Sequence, residues 1–196
     1  MVDAILDTAR AVMREQGVAA LNLQEVARRL GMRAPSLYEY FPAKLAIYDA
    51  LYRLGVQLYL DRLEHLEGEH ASFLARVRAI FETYMTFALD HPDLYQLVFE
   101  RPVPGFVPSE EGMQDSRQLL AFGNRLFEAA IAAGEIDPGL PMAQARDLVV
   151  AVAHGLASRH LANEPRLPVG SGRFGSLIPA AVALFEATWG VDQPRT

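Results

Sequence analysis

Apolar residues recur at helical spacing along most of the chain, and no segment alternates as a half-buried strand does. In the first helix, Ile5, Ala9, Val12 and Met13 form one apolar stripe that is expected to face a core. Clusters of glycine and proline separate the helices that follow. The longer pattern predicts helices over about 44–65, 72–89, 92–99, 113–133, 143–162 and 176–190. With two shorter helices described next, we expect an all-α protein of about nine helices.

Two short helices are predicted between the first helix and the long one that follows them. Asn22 with Glu25 three residues later is typical of a capping box, which starts a helix that ends at Gly31. The next helix must fit within 33–41, because Pro42 disfavours helical geometry in the residue before it. Two short helices flanked by longer ones have the proportions of a helix-turn-helix.

The second short helix has the composition that a DNA-reading helix needs. A helix that enters a major groove about 12 Å wide carries polar or small outward side chains. Leu37 and Phe41 lie one turn apart and are expected to face the core. The residues left to point outward or sideways are Arg33, Ser36, Tyr38, Glu39 and Tyr40.

The last two predicted helices have almost no polar face, and a helix that is apolar all round is buried all round. A terminal helix of a small protein rarely finds cover on every side within one chain. We therefore predict a homodimer through these helices, with a fully internal hairpin in a monomer as the alternative. The predicted interface residues are Val149, Val152, Ala153, Leu156, Leu177, Ala181, Leu184 and Phe185.

Composition narrows the function classes. The chain has no cysteine, which excludes disulfides, thiolate zinc sites and cysteine nucleophiles. The longest apolar run, 177–185, is far shorter than the roughly 20 residues that span a bilayer. No secretory signal is evident at the start, so we expect a cytoplasmic protein without a membrane partner.

The charge distribution changes the meaning of the overall charge of −6. Residues 1–53 hold seven Lys or Arg and six Asp or Glu, a net charge of +1, and the remainder carries −7. A weakly basic N-terminal segment on an acidic body is compatible with DNA binding, because local charge meets the phosphates.

The two short helices resemble those of the TetR/AcrR family of transcriptional regulators. The resemblance is carried by 23–31 (LQEVARRLG) and 35–44 (PSLYEYFPAK), an apolar helix, a glycine turn and a Ser-Leu-Tyr-x-x-Phe-x-x-Lys run. Arg33 departs from the pattern, since a serine or threonine usually caps the recognition helix there. Losing that cap costs about 1 kcal/mol, while a guanidinium gains access to phosphate or guanine.

The resemblance implies an operator-binding domain over 1–45 and a helical effector-binding and dimerisation domain over 46–196. Phosphate contacts are implied for Tyr38, Tyr40 and Lys44. Base-edge contacts are implied for Gln24, Arg33, Ala34, Pro35, Ser36 and Glu39. For Glu39, a surface carboxylate paired with a neighbouring arginine is an equal alternative.

The same resemblance implies an effector pocket on the central helices, with ordinary core packing as the alternative for each residue. The shortage of charged residues on these stripes favours a small, mostly apolar effector, which would change the spacing of two recognition helices by tilting the fourth helix. Repression is the default. The candidate lining residues are Phe81, Tyr84, Met85, Phe99, Met113, Phe122, Phe127 and His154.

Other function classes have weaker support. The run 170–175 spells a dinucleotide fingerprint but lacks the preceding strand, so no cofactor is expected. No metal site and no catalytic constellation is recognisable, so we do not expect an enzyme. An all-helical enzyme and an interaction module that does not bind DNA remain the alternatives, and both would lack operator binding that depends on Tyr38 and Lys44.

Overall fold

The computed structural model describes residues 1–66 and 72–190, in which helices are joined by loops and turns and no β-strand occurs. The all-α prediction is confirmed. The helices are α1 (Val2–Gln16), α2 (Leu23–Arg29), α3 (Ala34–Leu37), α4 (Lys44–Glu64), α5 (Phe73–Asp90), α6 (Pro92–Tyr95), α7 (Glu110–Ala132), α8 (Met142–Asn163), α9 (Gly172–Gly175) and α10 (Ile178–Trp189). A break predicted at Gly68 lies outside the described residues.

Helix α9 lies between the predicted helices 143–162 and 176–190, where no helix was predicted. Gly172 has a φ of +70°, which lets the chain turn sharply there. The carboxylate of Glu164 accepts the backbone N–H of Arg173 at 2.8 Å and thereby organises this single turn. Backbone donors that a dinucleotide phosphate would use are therefore occupied by a side chain of the same segment.

The chain forms two compact units. The first consists of 1–58 and 91–116, and the second of 59–90 and 117–196. Helices α4 and α7 each contribute residues to both units. The predicted functional boundary after residue 45 stays a prediction.

In the first unit, α1 buries the predicted apolar stripe and also holds an acidic residue of α6. The side chain of Asp93 is fully buried and accepts hydrogen bonds from Nε of Arg10 and Nε of Arg14, each at 2.8 Å. Burial alone would raise the pKa of Asp93, but these two arginines lower it below its ordinary value. The carboxylate is therefore charged when the protein is folded at neutral pH.

In the second unit, α5 packs against both α8 and α10. Phe81 of α5 meets Phe185 of α10 edge to face, with ring centroids 6.1 Å apart. Trp189 stacks on Phe185 at 4.5 Å and also contacts Phe127 of α7. These aromatic pairs give the unit a core of its own.

The packing on α5 changes the set of α8 and α10 residues that can reach a partner chain. Four of the eight predicted interface residues are buried within the chain, because they lie on the α5-facing sides of the two helices: Val149, Ala153, Ala181 and Phe185. Val152 and Leu156 are half-buried, and Leu177 and Leu184 are exposed.

No helix in the described ranges is long and apolar enough to cross a membrane.

Candidate functional site

Helix α2 begins and ends with backbone geometry that its sequence specifies. The side chain of Asn22 accepts the backbone N–H of Gln24 at 2.9 Å. At the other end, Gly31 has a φ of +65°, and the N–H of Met32 reaches the carbonyl of Ala27 at 2.9 Å, as in a Schellman motif. This turn leads directly into α3.

Helix α3 lies within the predicted range 33–41. It covers four residues, and Tyr38 and Tyr40 follow in tighter turns whose N–H groups bond three residues back. Leu37 and Phe41 are buried, as predicted. Arg33 occupies the N-cap position and its side chain makes no capping hydrogen bond. The predicted loss of the cap is therefore present in the structure.

The surface around α3 exposes two aromatic side chains that carry hydroxyl groups. Tyr38 is 51% exposed and Tyr40 is 43% exposed, whereas the neighbouring Leu37 is fully buried. The residues predicted to face bases are also accessible: Gln24, Arg33, Pro35 and Glu39 are exposed, and Ala34 and Ser36 are half-buried. The structure thus brings all of the predicted DNA-binding residues of 33–40 to one short segment anchored by Leu37.

Residues 22–44 contain four cationic side chains, and two of them, Arg28 and Arg29, form ion pairs with carboxylates. Glu25 accepts hydrogen bonds from Arg28 and Arg29, each at 2.7 Å, and these bonds lower the pKa of Glu25 to about 2. Arg29 also pairs with Glu15 at 2.6 Å. Because Glu25 turns towards these arginines, the predicted capping box is completed only on its Asn22 side. The Arg29–Glu15 pair joins α2 to α1, whereas the two pairs of Glu25 lie within α2.

The cations that the structure leaves for another molecule are Arg33 and Lys44. Within the described ranges neither takes part in an ion pair, and neither does Glu39. Lys44 reaches the carbonyl of Ala19 at 3.4 Å, and its Nζ lies 5.5 Å from the centre of the Tyr48 ring. Both contacts keep the ammonium group at the start of α4. The alternative in which Glu39 pairs with a neighbouring arginine has no ion pair to support it in the described part of the chain.

A second candidate site is a cavity of about 300 Å³ within the second unit. It lies between the end of α4, α5 and α7, and its lining is mostly apolar. Its lining residues are Leu66, Arg76, Ile80, Phe122, Arg125, Leu126 and Ala129.

The predicted pocket residues are dispersed. Phe122 is among the residues that line this cavity, whereas Phe99 and Met113 belong to the first unit. Phe81, Met85 and Phe127 are buried in the core of the second unit. Tyr84 and His154 are brought together, with the tyrosine oxygen 3.0 Å from Nδ1 of the histidine.

Arg76 and Arg125 were not among the predicted pocket residues, because the prediction rested on aromatic and apolar positions of these helices. A signal was present in the spacing. Arg76 lies one turn before Ile80 on α5, and Arg125 lies between Phe122 and Leu126 on α7. An arginine that interrupts an apolar helical stripe is costly to bury and so marks a position worth testing for a ligand.

Comparisons with known proteins agree with this architecture. Residues 5–51 match the family model of bacterial regulatory proteins, tetR family, and 77–176 match that of the tetracyclin repressor-like C-terminal domain. A protein of unknown function from a Rhodococcus species has a similar structure, with a TM-score of 0.80, 25% identity and coverage of 96% of this chain and 95% of that one.

Two further relatives are informative. FadR from Bacillus subtilis, solved in complex with stearoyl-CoA, has a TM-score of 0.73 at 18% identity, over 94% of this chain and 97% of its own. The transcriptional activator FasR from Mycolicibacterium smegmatis is 28% identical over 96 residues, which are 49% of this chain and 44% of that protein. The curated relatives are thus matched over less than half of their length. Because the C-terminal family model alone covers more than half of the 196 residues, and the helix-turn-helix model covers the segment described above, the chain belongs to the TetR family of transcriptional regulators.

Proposed function

We propose that the protein is a homodimeric repressor that binds a palindromic operator and is released from it by a small, mostly apolar effector. The observation that carries the DNA-binding half is the segment 33–40, in which two exposed tyrosines follow the buried Leu37. Such a segment offers hydroxyl and cationic groups to phosphates, and small side chains to base edges.

Tyr38, Tyr40 and Lys44 are assigned to the phosphates. Phosphate contacts fix the register of a helix in the groove without reading sequence. Arg33, with no ion pair in the described ranges, is free to pair with guanine, while Glu39 can accept a bond from cytosine. Gln24, Ala34, Pro35 and Ser36 complete the proposed reading surface.

The proposed dimer interface is the solvent-facing side of α8 and α10. On α10, Ala180, Ala183, Leu184 and Ala187 are exposed at helical spacing, and Leu184 is 69% exposed. On α8, the exposed positions Leu148, Ala151 and Gly155 lie on one face. A second copy of the chain is the proposed cover, since the same surface on both subunits forms a closed two-fold contact.

Effector binding is proposed for the second unit, with α4 as the connection to the operator-binding segment. Helix α4 starts at Lys44 and continues without interruption into the second unit. A tilt of this helix would change the separation of two recognition helices, which fit successive major grooves when they are about 34–36 Å apart. The complex of FadR with stearoyl-CoA supports a largely apolar effector in this fold. An effector acts only through different affinity for the two spacings.

The test is selection of bound sequences from random duplex DNA by the purified protein at moderate salt. We expect enrichment of a palindrome. Tyr38→Ala and Lys44→Ala should each weaken binding about tenfold on every sequence, and Lys44→Ala should reduce the salt dependence by about one phosphate contact. Arg166→Ala is the charge-matched control, because Arg166 is an exposed arginine in the loop after α8.

Lys44 also allows a direct footprint, because it is the one lysine in the sequence. Acetylation followed by mass spectrometry should show protection of Lys44 by the selected DNA, with the amino terminus as internal reference. Absence of any DNA binding at low salt would contradict the proposal and favour an interaction module. Binding that is only sequence-independent would contradict the palindromic operator.

A further inference from the structure

We propose that the cavity of the second unit binds an amphipathic organic acid, with its anionic head at Arg76 and its apolar tail along Ile80, Phe122 and Leu126. The inference rests on the proposed function, in which this unit binds the effector. It changes the expected chemistry of that effector from mostly apolar to amphipathic and acidic.

The lining of the cavity is divided into two kinds of surface. Leucine, isoleucine, phenylalanine and alanine side chains provide most of it, and Arg76 and Arg125 provide the polar part. Among the described lining residues there is no aspartate or glutamate. An apolar pocket with a few convergent polar groups of one sign selects a ligand with the opposite charge at one end.

Arg76 retains hydrogen-bonding capacity at this site. One terminal nitrogen of its guanidinium pairs with Glu135 at 3.0 Å, and the other oxygen of Glu135 accepts the backbone N–H of Phe73. Nε of Arg76 is buried and has no hydrogen-bond partner. A guanidinium carries five N–H donors, and a buried donor without an acceptor is unfavourable. Because Nε is covered, a carboxylate or phosphate oxygen in the cavity would not reach it. The side chain as a whole is 24% exposed, so such an oxygen would accept instead from the terminal N–H groups that the pair with Glu135 leaves available.

Glu135 accounts for the position of Arg76 but not for its exposed cavity edge. The carboxylate anchors the guanidinium from one side and orients its planar donor array. This arrangement fits an oriented arginine that recognises an anion, with Glu135 as its positioning residue.

Arg125 adds positive charge at the same cavity. Its guanidinium carbon lies 5.8 Å from the centre of the Phe122 ring, which keeps the charged group beside the apolar lining. Arg125 is largely exposed and lies at the solvent side of the cavity, while Arg76 is more deeply buried. A ligand that enters with its acidic end towards these groups would leave its tail against Leu126 and Ile80.

The experiment is calorimetric titration of the protein with decanoate, below its critical micelle concentration, and with decanol, below its solubility limit. The two probes share the apolar chain and differ in the charged head. We expect decanoate to bind at least tenfold more tightly than decanol. Equal affinities, or no binding of decanoate at millimolar concentration, would overturn the inference without any variant being needed.

Variants locate the head group. Arg76→Met should reduce the affinity for decanoate to that for decanol and change the latter less than twofold. Arg78→Met is the matched control, because Arg78 lies on the same helix and forms an exposed pair with Glu82. Unchanged decanoate affinity in Arg76→Met would contradict the assignment. If that variant does not fold, Leu126→Trp, which fills the cavity, should abolish binding of both probes, and retained binding would contradict the site.

The result is separable from the proposed function. Decanoate binding that depends on Arg76 supports this inference whether or not the protein binds an operator. Operator binding without decanoate binding would overturn the inference and leave the regulator intact. To separate sources of the anion, dodecyl phosphate is titrated alongside: tighter binding of the phosphate than of dodecanoate indicates a phosphorylated lipid, and the reverse indicates a fatty acid.

Discussion

The first compact unit exposes hydroxyl-bearing and cationic side chains around α3, whereas the second exposes apolar faces on α8 and α10. In the first unit, buried charge is fully matched at Asp93, which has two arginine partners. In the second, Nε of Arg76 is buried without an acceptor and Leu184 is 69% exposed. In the first unit, the buried carboxylate is thus neutralised by arginines of the same unit. The second unit has a buried donor without an acceptor and an exposed apolar surface.

The two units are therefore expected to bind different partners. Phosphates attract exposed cations and hydroxyl groups, which the first unit offers at Arg33, Lys44 and the two tyrosines. A second copy of the chain and an amphipathic ligand require apolar area, which the second unit offers. Substitutions in the two units should therefore change different measurements.

The largest expected effect concerns the apolar face of α10. Leu184→Glu places a carboxylate twice in the proposed two-fold interface, so the dimer dissociation constant should rise about a thousandfold, or about 4 kcal/mol. Sedimentation equilibrium measures this change. Val107→Glu, which alters an exposed valine of the first unit, is the control and should leave the dimer intact. A wild-type protein that is monomeric at every concentration would contradict the proposed dimer interface.

The next largest effect concerns the buried carboxylate of the first unit. Asp93→Ala removes the acceptor of both Arg10 and Arg14, and should lower the free energy of unfolding by about 3 kcal/mol in urea titrations. Asp90→Ala is the matched control, because the pair of Asp90 with Arg62 is partly exposed, and should cost less than about 1 kcal/mol. Equal costs for the two variants would show that burial does not distinguish these pairs.

The ion pairs of Asp93 with Arg10 and Arg14 predict that the free energy of unfolding depends on pH. The pKa of Asp93 is lower in the folded protein than its ordinary value, so the unfolded chain takes up the proton first as the pH falls. The stabilisation is fully present above about pH 4, the ordinary range of an aspartate, and is lost as the pH falls through the folded pKa. The difference in unfolding free energy between wild type and Asp93→Ala should therefore shrink below that pH.

A smaller effect is expected from a substitution at Arg33, at the start of α3. Arg33→Ser restores a capping side chain to α3 and should stabilise the protein by about 1 kcal/mol in thermal unfolding. It also removes the proposed guanine contact, so the selected operator should lose its preference at one base pair per half-site. Higher stability with unchanged base preference would assign Arg33 to the helix start alone.

Much of the fold followed from local pattern. The helices α4, α5, α7 and α8 begin and end within about three residues of their predicted bounds, because glycine and proline mark the breaks. The burial of Leu37 and Phe41 followed from their one-turn spacing. The capping box was half right, since Asn22 caps α2 while Glu25 bonds to arginines that compete for its carboxylate.

The candidate sites divided along the same line. The exposed segment 33–40 could be predicted because its residues are contiguous and its anchor is local. The cavity could not, because it joins α5 to α7 across more than 40 residues of sequence. Asp93 escaped notice for the same reason, since its arginine partners are 79 and 83 positions away.

The sequence by itself determined the helical class, the helix breaks, the turn at Gly31 and the family pattern of 23–44, because each depends on the few residues around it. Tertiary structure decided which sides of α8 and α10 are buried. An almost wholly apolar helix has no polar stripe to define its orientation, so packing against α5 makes the choice and turns Leu148 and Leu184 outward. Tertiary structure also placed Arg76 beside an apolar cavity, because only the folded chain brings distant helices together.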